Sequence, residues 1–230
     1  MIYVFDVDGT LTPARKEMDQ GFKSQFIQFF KTHQYAIVSG SDYNKIEEQV
    51  GPDILYNAEY VMACAGNSVW QKGVEIYKSQ WTTPIELIER LNTILNSSDY
   101  HSKYGNHIEH RPGMINFSVV GRMANISERN EYWNWDKMYN ERIDIRSIIL
   151  NEFPDLDCEI GGQISIDIYP IGNNKSQVLK YIHNTIYFFG DGIMPGKNDW
   201  ALAEALRYPS RSFPVDGWQM TLDKLNHLYK

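Results

Sequence analysis

The chain has 230 residues, a formal charge of −7, and 43% hydrophobic against 22% charged residues, a globular composition with room for one large or two modest domains. An acidic chain without a Lys/Arg run is poorly suited to nucleic acid, and no apolar run approaches the roughly 20 residues that a membrane helix needs. Cys64 and Cys158 lack metal-ligand spacing and read as reduced thiols of a cytoplasmic protein. The first elements alternate. Residues 2–7 read as a buried strand, so no signal peptide is expected there. A helix is expected from about Pro13 to Lys31, with Met18, Phe22, Phe26, Phe29 and Phe30 on its apolar face. Residues 35–42 follow as a second strand, then a helix at 43–49 that Ser41 or Asp42 could cap and Gly51-Pro52 stops. A third strand at 60–66 and a hairpin about Lys72-Gly73 complete a parallel sheet covered on both faces.

The middle of the chain has another character. Residues 82–95 form an amphipathic helix started by Thr83-Pro84, and 106–122 hold two strands about Pro112-Gly113. Along 114–119 Met114, Asn116 and Ser118 face one way, and Ile115, Phe117 and Val119 the other. Helices near 125–135 and 139–152 precede two strands hinged at Gly161-Gly162. Adjacent strand pairs predict an antiparallel sheet with helices on one face, a second domain at 79–172 inserted into a first at 1–78 and 173–230. Alternation then resumes: helix 175–183, strand 186–192, helix 198–206, strand 211–215 and helix 218–229. The fold class is therefore α/β, a Rossmann-like parallel-sheet core with an inserted α+β cap.

In an open parallel sheet, ligands collect at the carboxyl ends of the strands. Three polar turns arrive there, DVDGT at 6–10, SGSD at 39–42 and FGDGIMPGKND at 189–199, and Lys175 follows the insertion. Asp6, Asp8, Asp191 and Asp199 make a hard-oxygen cluster suited to Mg²⁺. Lys175 supplies a fixed positive charge, Ser39 a hydroxyl, and Gly40 close backbone approach to an anion. This set fits phosphoryl transfer through an aspartyl phosphate, with Asp6 as nucleophile and Asp8 as general acid and base. A strand-end carboxylate pair also fits a structural Ca²⁺ site. His101, His107 and His110 lack ligand partners at the right spacing, and Trp133 and Trp135 read as helix packing or a dimer face.

FDVDGTLTPAR, SGSD, Lys175 and FFGDGIMPGKND resemble the four ordered motifs of the haloacid dehalogenase (HAD) superfamily. RPGMINFSVVGR, GRM…SER, GGQISIDIYP and TIYFFGD narrow the resemblance to its eukaryotic-type phosphomannomutase family. The resemblance implies a phosphohexomutase that interconverts mannose 6-phosphate and mannose 1-phosphate, with Mg²⁺ and a hexose 1,6-bisphosphate activator, feeding GDP-mannose synthesis. It also implies a homodimer formed through the caps; the absence of a membrane or nucleic-acid partner is expected from composition and charge alone. By the same resemblance Asp6 is the phosphorylated nucleophile, and the backbone carbonyl of Asp8 meets Mg²⁺. Asp191 is a metal ligand, with Asp199 behind it. Arg15 reaches substrate from the core, while Arg111, Arg122, Arg129, Ser165 and Asp167 bind it from the cap.

Three guanidiniums folded together would grip the phosphate that is not reacting as bidentate forks. Read from the residues alone, they are equally exposed arginines paired with Glu109, Glu128 or Glu131. The chain departs from the family at Cys64-Ala65-Gly66, Asn173-Asn174 and Lys197, and Ala205 gives no support to a second, structural cation. A sugar phosphatase on the same scaffold and a catalytically silent sugar-phosphate-binding protein are the alternative functions.

Overall fold

The computed structural model describes residues 1–209 and 211–228. The first segment carries β1 (Ile2–Phe5), α1 (Gln20–Phe29), β2 (Gln34–Val38), α2 (Tyr43–Val50), α3 (Pro52–Asn57), β3 (Val61–Ala63), β4 (Ser68–Gln71) and β5 (Val74–Lys78). The middle carries α4 (Ile85–Ser97), β6 (Ile108–Arg111), β7 (Met114–Phe117), α5 (Ile126–Tyr139), α6 (Glu141–Glu152), β8 (Leu156–Gly161) and β9 (Ser165–Pro170). The last segment carries β10 (Ile186–Gly190), α7 (Trp200–Ala205), β11 (Ser212–Pro214) and α8 (Trp218–Leu228). Residue 229, expected in this last helix, lies outside the described residues. The chain divides into two compact units, Met1–Ser79 with Asn173 onward, and Gln80–Gly172. The outgoing boundary falls one residue later than the sequence reading placed it.

The first unit is built on a seven-stranded sheet in the order β11-β10-β1-β2-β3-β4-β5. Strands β11, β10, β1, β2 and β3 are parallel, and the β4-β5 hairpin adds an antiparallel edge. Lys72 and Gly73 turn that hairpin with φ of 52° and 76°, the conformation a two-residue turn requires. β1 is buried throughout because both sheet faces are covered. Ile2 and Val4 join Phe188, Leu202 and Val178 on one side. Tyr3 and Phe5 meet Phe26, Phe29, Phe30 and Phe189 on the other. Strand β1 lies between β2, which follows it directly, and β10, which returns from far along the chain. That reversal opens the crevice at its carboxyl end.

Helix α1 begins at Gln20, seven residues after the expected start at Pro13. Asp19 caps it by accepting from Phe22 N, and Arg15 takes a left-handed φ of 59° that no helix continues through. Residues 175–180 form a 3₁₀ helix rather than an α-helix, capped by Asn174. The third strand is cut to three residues because Cys64 and Ala65 turn left-handed, with φ of 51° and 57°.

The second unit is an antiparallel sheet in the order β6-β7-β9-β8. Its apolar face, with Ile115, Phe117, Ile166, Ile168 and Cys158, packs with Leu87 and Leu91 of α4, Tyr132 of α5 and Ile145 and Ile149 of α6. Asn125 and Glu128 form a reciprocal capping box at the start of α5. A buried Arg142–Asp136 ion pair at 2.8 Å fastens the corner between α5 and α6.

Candidate active site

The turn after β1 is held tightly. Asp6 N donates to Phe189 O at 3.0 Å, and Thr10, Leu11 and Thr12 all direct their N–H at Val7 O. Gly9 sits at φ 76°, and a β-carbon there would collide with the carboxylate of Asp191, so glycine lets the two turns close on each other. Asp191 follows β10, and Asp199, fully buried, accepts from Gly192 N at 2.8 Å. Lys175 enters from the 3₁₀ helix and donates to Asp6 Oδ1 and to Asp199 Oδ1, each at 2.6 Å.

The electrostatics of this cluster follow from burial. Lys175 is 1% exposed, and burial alone would lower its pKa; Asp199 and Asp6 outweigh that and hold the ammonium charged. Burial drives Asp6 well above the usual carboxylate range, Lys175 pulling against it and Asp199 and Asp191 pushing with it. Asp191 keeps an exposed edge and is also raised, first by burial of its carboxyl group and then by the charge of Asp199. One oxygen from each of Asp6, Asp191 and Asp199 lies within 4.8 Å of the others. Three carboxylates against a single ammonium leave a surplus of negative charge on hard oxygen donors, which fits a small divalent cation such as Mg²⁺. His101, His107 and His110 are not part of a metal-binding group among the described residues.

Asp8 stands apart from that carboxylate group. Its Oδ1 accepts from Arg15 N at 2.7 Å and from Gln49 Nε2 at 2.8 Å. Gln49 is buried on α2 and also donates to Thr12 Oγ1 at 3.1 Å. Sequence reading passed over Gln49 as an ordinary polar residue of a helix; its only signal is its place on the inner side beside Ile46 and Val50. Ser39 closes β2, donating its N–H to Met62 O at 3.0 Å and accepting from Ser41 N on Oγ at 3.1 Å. Gly40 lies in the same turn, before the Asp42 cap of α2. Arg15 is exposed.

The remaining predicted residues lie in the second unit. Arg111 Nε and Arg122 Nε meet the two oxygens of Glu109, at 2.9 and 2.7 Å. Arg122 Nη1 also donates to Ser165 Oγ at 2.8 Å. Arg129, nearly buried, donates Nε to Ala124 O at 2.7 Å and Nη2 to Arg122 O at 3.0 Å, so it braces the loop that carries Arg122. Glu128 serves the α5 cap instead of pairing with an arginine. Asp167 accepts from Asn116 Nδ2 at 2.6 Å. Burial opposes the charge of Glu109, but hydrogen bonds and charge from Arg111 and Arg122 outweigh it and bring its pKa down to about 2.

Solved structures share this architecture at low sequence identity. A haloacid dehalogenase-like hydrolase from Bacteroides thetaiotaomicron aligns with a TM-score of 0.59 at 12% identity, covering 99% of this chain and 98% of that one. An N-terminally truncated IMP-nucleotidase from Plasmodium falciparum aligns with a TM-score of 0.65 at 17% identity, covering all of this chain and 68% of that one. At these identities the likeness shows the fold alone: an α/β core of the kind found in haloacid dehalogenase-like hydrolases, with the carboxylates of the lysine-bridged cluster placed after β1 and β10. The eukaryotic phosphomannomutase family matches over residues 22–230. A phosphomannomutase from Dendrobium officinale is 35% identical over 217 residues, covering 90% of this chain and 86% of its own length. Phosphomannomutase 2 of Dictyostelium discoideum is 34% identical over 240 positions, covering 99% and 96%. The chain belongs to the eukaryotic phosphomannomutase family.

Proposed function

We propose that the chain interconverts mannose 6-phosphate and mannose 1-phosphate, with Asp6 carrying the phosphoryl group between hexose bisphosphate and hexose monophosphate. Asp6 attacks phosphorus, an Asp6–phosphorus bond forms as the bond to the sugar oxygen breaks, and Asp8 hands its proton to that oxygen. In the return step Asp8 takes the proton from the hydroxyl of a monophosphate as that oxygen takes the phosphoryl group from Asp6. Lys175 offsets the charge of the approaching phosphate while holding Asp6 in line through a 2.6 Å bond. Arg15 N and Gln49 orient Asp8 through one oxygen. Asp6, Asp191 and Asp199 would hold Mg²⁺, which when bound supplies further charge neutralisation for a phosphate dianion.

The phosphate that is not reacting belongs, in this reading, to Arg111, Arg122 and Arg129, and the sugar hydroxyls to Ser165 and Asp167. The observation that carries the reading is the buried bridge from Lys175 to both Asp6 and Asp199, inside a chain of this family. Incubation with mannose 1-phosphate, Mg²⁺ and a catalytic amount of hexose 1,6-bisphosphate, followed by phosphorus NMR, tests it. Mannose 6-phosphate accumulating supports the mutase; inorganic phosphate alone supports a sugar phosphatase, and no turnover a silent binding protein.

Homodimer formation and a cytoplasmic setting complete the proposal. Ile126, Met138 and Tyr139 of α5 are exposed apolar side chains that a contact between two copies would cover. Light scattering on the purified chain decides the stoichiometry. No helix among the described residues is long and apolar enough to cross a membrane.

A further inference from the structure

A carboxylate between two arginines is an odd companion for an anion site, because it cancels part of the attraction the arginines provide. Glu109 holds that place: Oε1 meets Arg111 Nε at 2.9 Å and Oε2 meets Arg122 Nε at 2.7 Å. Both guanidinium side chains are largely buried, at 7% and 12% exposure, while Glu109 keeps 29%. The sheet register explains how one residue reaches both. Glu109 pairs with Asn116 across β6 and β7, Asn116 with Asp167 across β7 and β9, and Asp167 with Glu159 across β9 and β8. Glu109 thus heads a polar row running straight across the sheet. Arg111 follows it by two positions on the same face, and Arg122 arrives from the loop after β7, secured also by Ser165 Oγ.

We propose that Glu109 is a positioning residue for substrate: it grips both arginines by their Nε edges and fixes the planes in which they receive the hexose phosphate. This rests on the functional reading above. An arginine can fork a phosphate through its Nε–Nη edge or through its Nη–Nη end. Glu109 holds the Nε of both, and Ser165 an Nη1 hydrogen of Arg122, so the Nε edge of each is closed to a phosphate fork. Two long, flexible side chains become a preset pair, and the ordering is complete before the ligand arrives.

Coulombic and positional roles predict opposite signs, which makes the test sharp. If Glu109 were only a neighbouring charge, its removal would tighten phosphate binding. If it positions the pair, removal weakens it. Mannose 1-phosphate binding is measured by titration calorimetry on the full chain carrying Asp6→Asn, with and without Glu109→Gln or Glu109→Ala. Weakening of about tenfold is expected for Glu109→Ala, and less for Glu109→Gln, which keeps one acceptor. In the Asp6 enzyme the same substitutions should raise KM for mannose 1-phosphate by more than they lower kcat. Unchanged or tighter binding in Glu109→Gln overturns the proposal, and that variant, isosteric with the native side chain, carries the test if Glu109→Ala fails to fold. Absence of mannose 1-phosphate binding to the parent chain overturns the functional reading instead, and the proposal with it.

Discussion

Lys175 Nζ lies 2.6 Å from Asp6 Oδ1, although 169 positions of chain separate the two residues. The same nitrogen reaches Asp199 at an equal distance, so one ammonium ties the turn after β1 to the segment after β10. Removing it leaves two buried carboxylates without their counter-charge. Lys175→Met is therefore expected to abolish turnover and to cost about 3 kcal/mol of stability, the order seen when a buried ion pair loses one partner. Urea unfolding of the variant against the native chain checks the second figure, and a stability loss below about 1 kcal/mol would contradict it.

Asp6→Asn has the opposite stability signature. Burial already disfavours the charged form of Asp6, so a neutral amide of the same size relieves that strain, while Lys175 retains Asp199. The variant is expected to unfold at the same or a higher temperature while losing at least about 10³-fold in turnover, because an amide cannot form the acyl phosphate. Calorimetry and mass spectrometry of the phosphorylated chain measure the two effects. Phosphoenzyme detected in this variant would remove Asp6 from its role.

Glu109 makes the second unit acid-sensitive. Its folded pKa of about 2 lies below the ordinary 4.5, so its contribution is fully present above about pH 4.5 and disappears as pH falls toward 2. Screening at a partly exposed site reduces that contribution to about 1–2 kcal/mol. Native chain and Glu109→Gln, unfolded by denaturant at pH 7 and pH 3, should differ in how much stability they lose, with the native chain losing more. Equal losses would mean that the Arg111 and Arg122 contacts contribute nothing to folding.

Gly121 precedes Arg122 at φ 91°, and a β-carbon there would run into the backbone carbonyl of Tyr104. Backbone cannot step aside as a flexible side chain would, and the left-handed φ adds strain of its own. Gly121→Ala should destabilise the chain by more than about 2 kcal/mol and raise KM for mannose 1-phosphate through displacement of Arg122. A native-like KM at 15 °C would show that the loop adjusts without moving the arginine.

Much of this arrangement was legible in the residues. Alternating apolar runs and turn residues point to a parallel core, and adjacent strand pairs to an insertion expected at 79–172, where the second compact unit is Gln80–Gly172. What stayed hidden has a common physical origin. The start of α1 moved to Gln20 because Arg15 gives its backbone N–H to Asp8, a tertiary contact that local propensity does not encode. Asp199, read from the residues as part of the hard-oxygen cluster and from the resemblance as lying behind Asp191, is held by Lys175 and Gly192 beside Asp6 and Asp191. The bond from Gln49 to Asp8 spans 41 positions, and a glutamine on a helix carries no mark of such a partner.

The order of strands also bears on how the protein is made. During synthesis β1 finds β2 within a few dozen residues, but its other neighbour, β10, is translated only after the whole inserted unit. Until residue 186 leaves the ribosome, the central strand keeps one flank of backbone donors and acceptors unpaired, next to the aspartate assigned the chemistry. The contiguous stretch 80–172 has no such wait and has its own apolar core. Nascent chains halted before β10 should therefore recruit chaperones at the unfinished sheet, while the insertion is already protease-resistant.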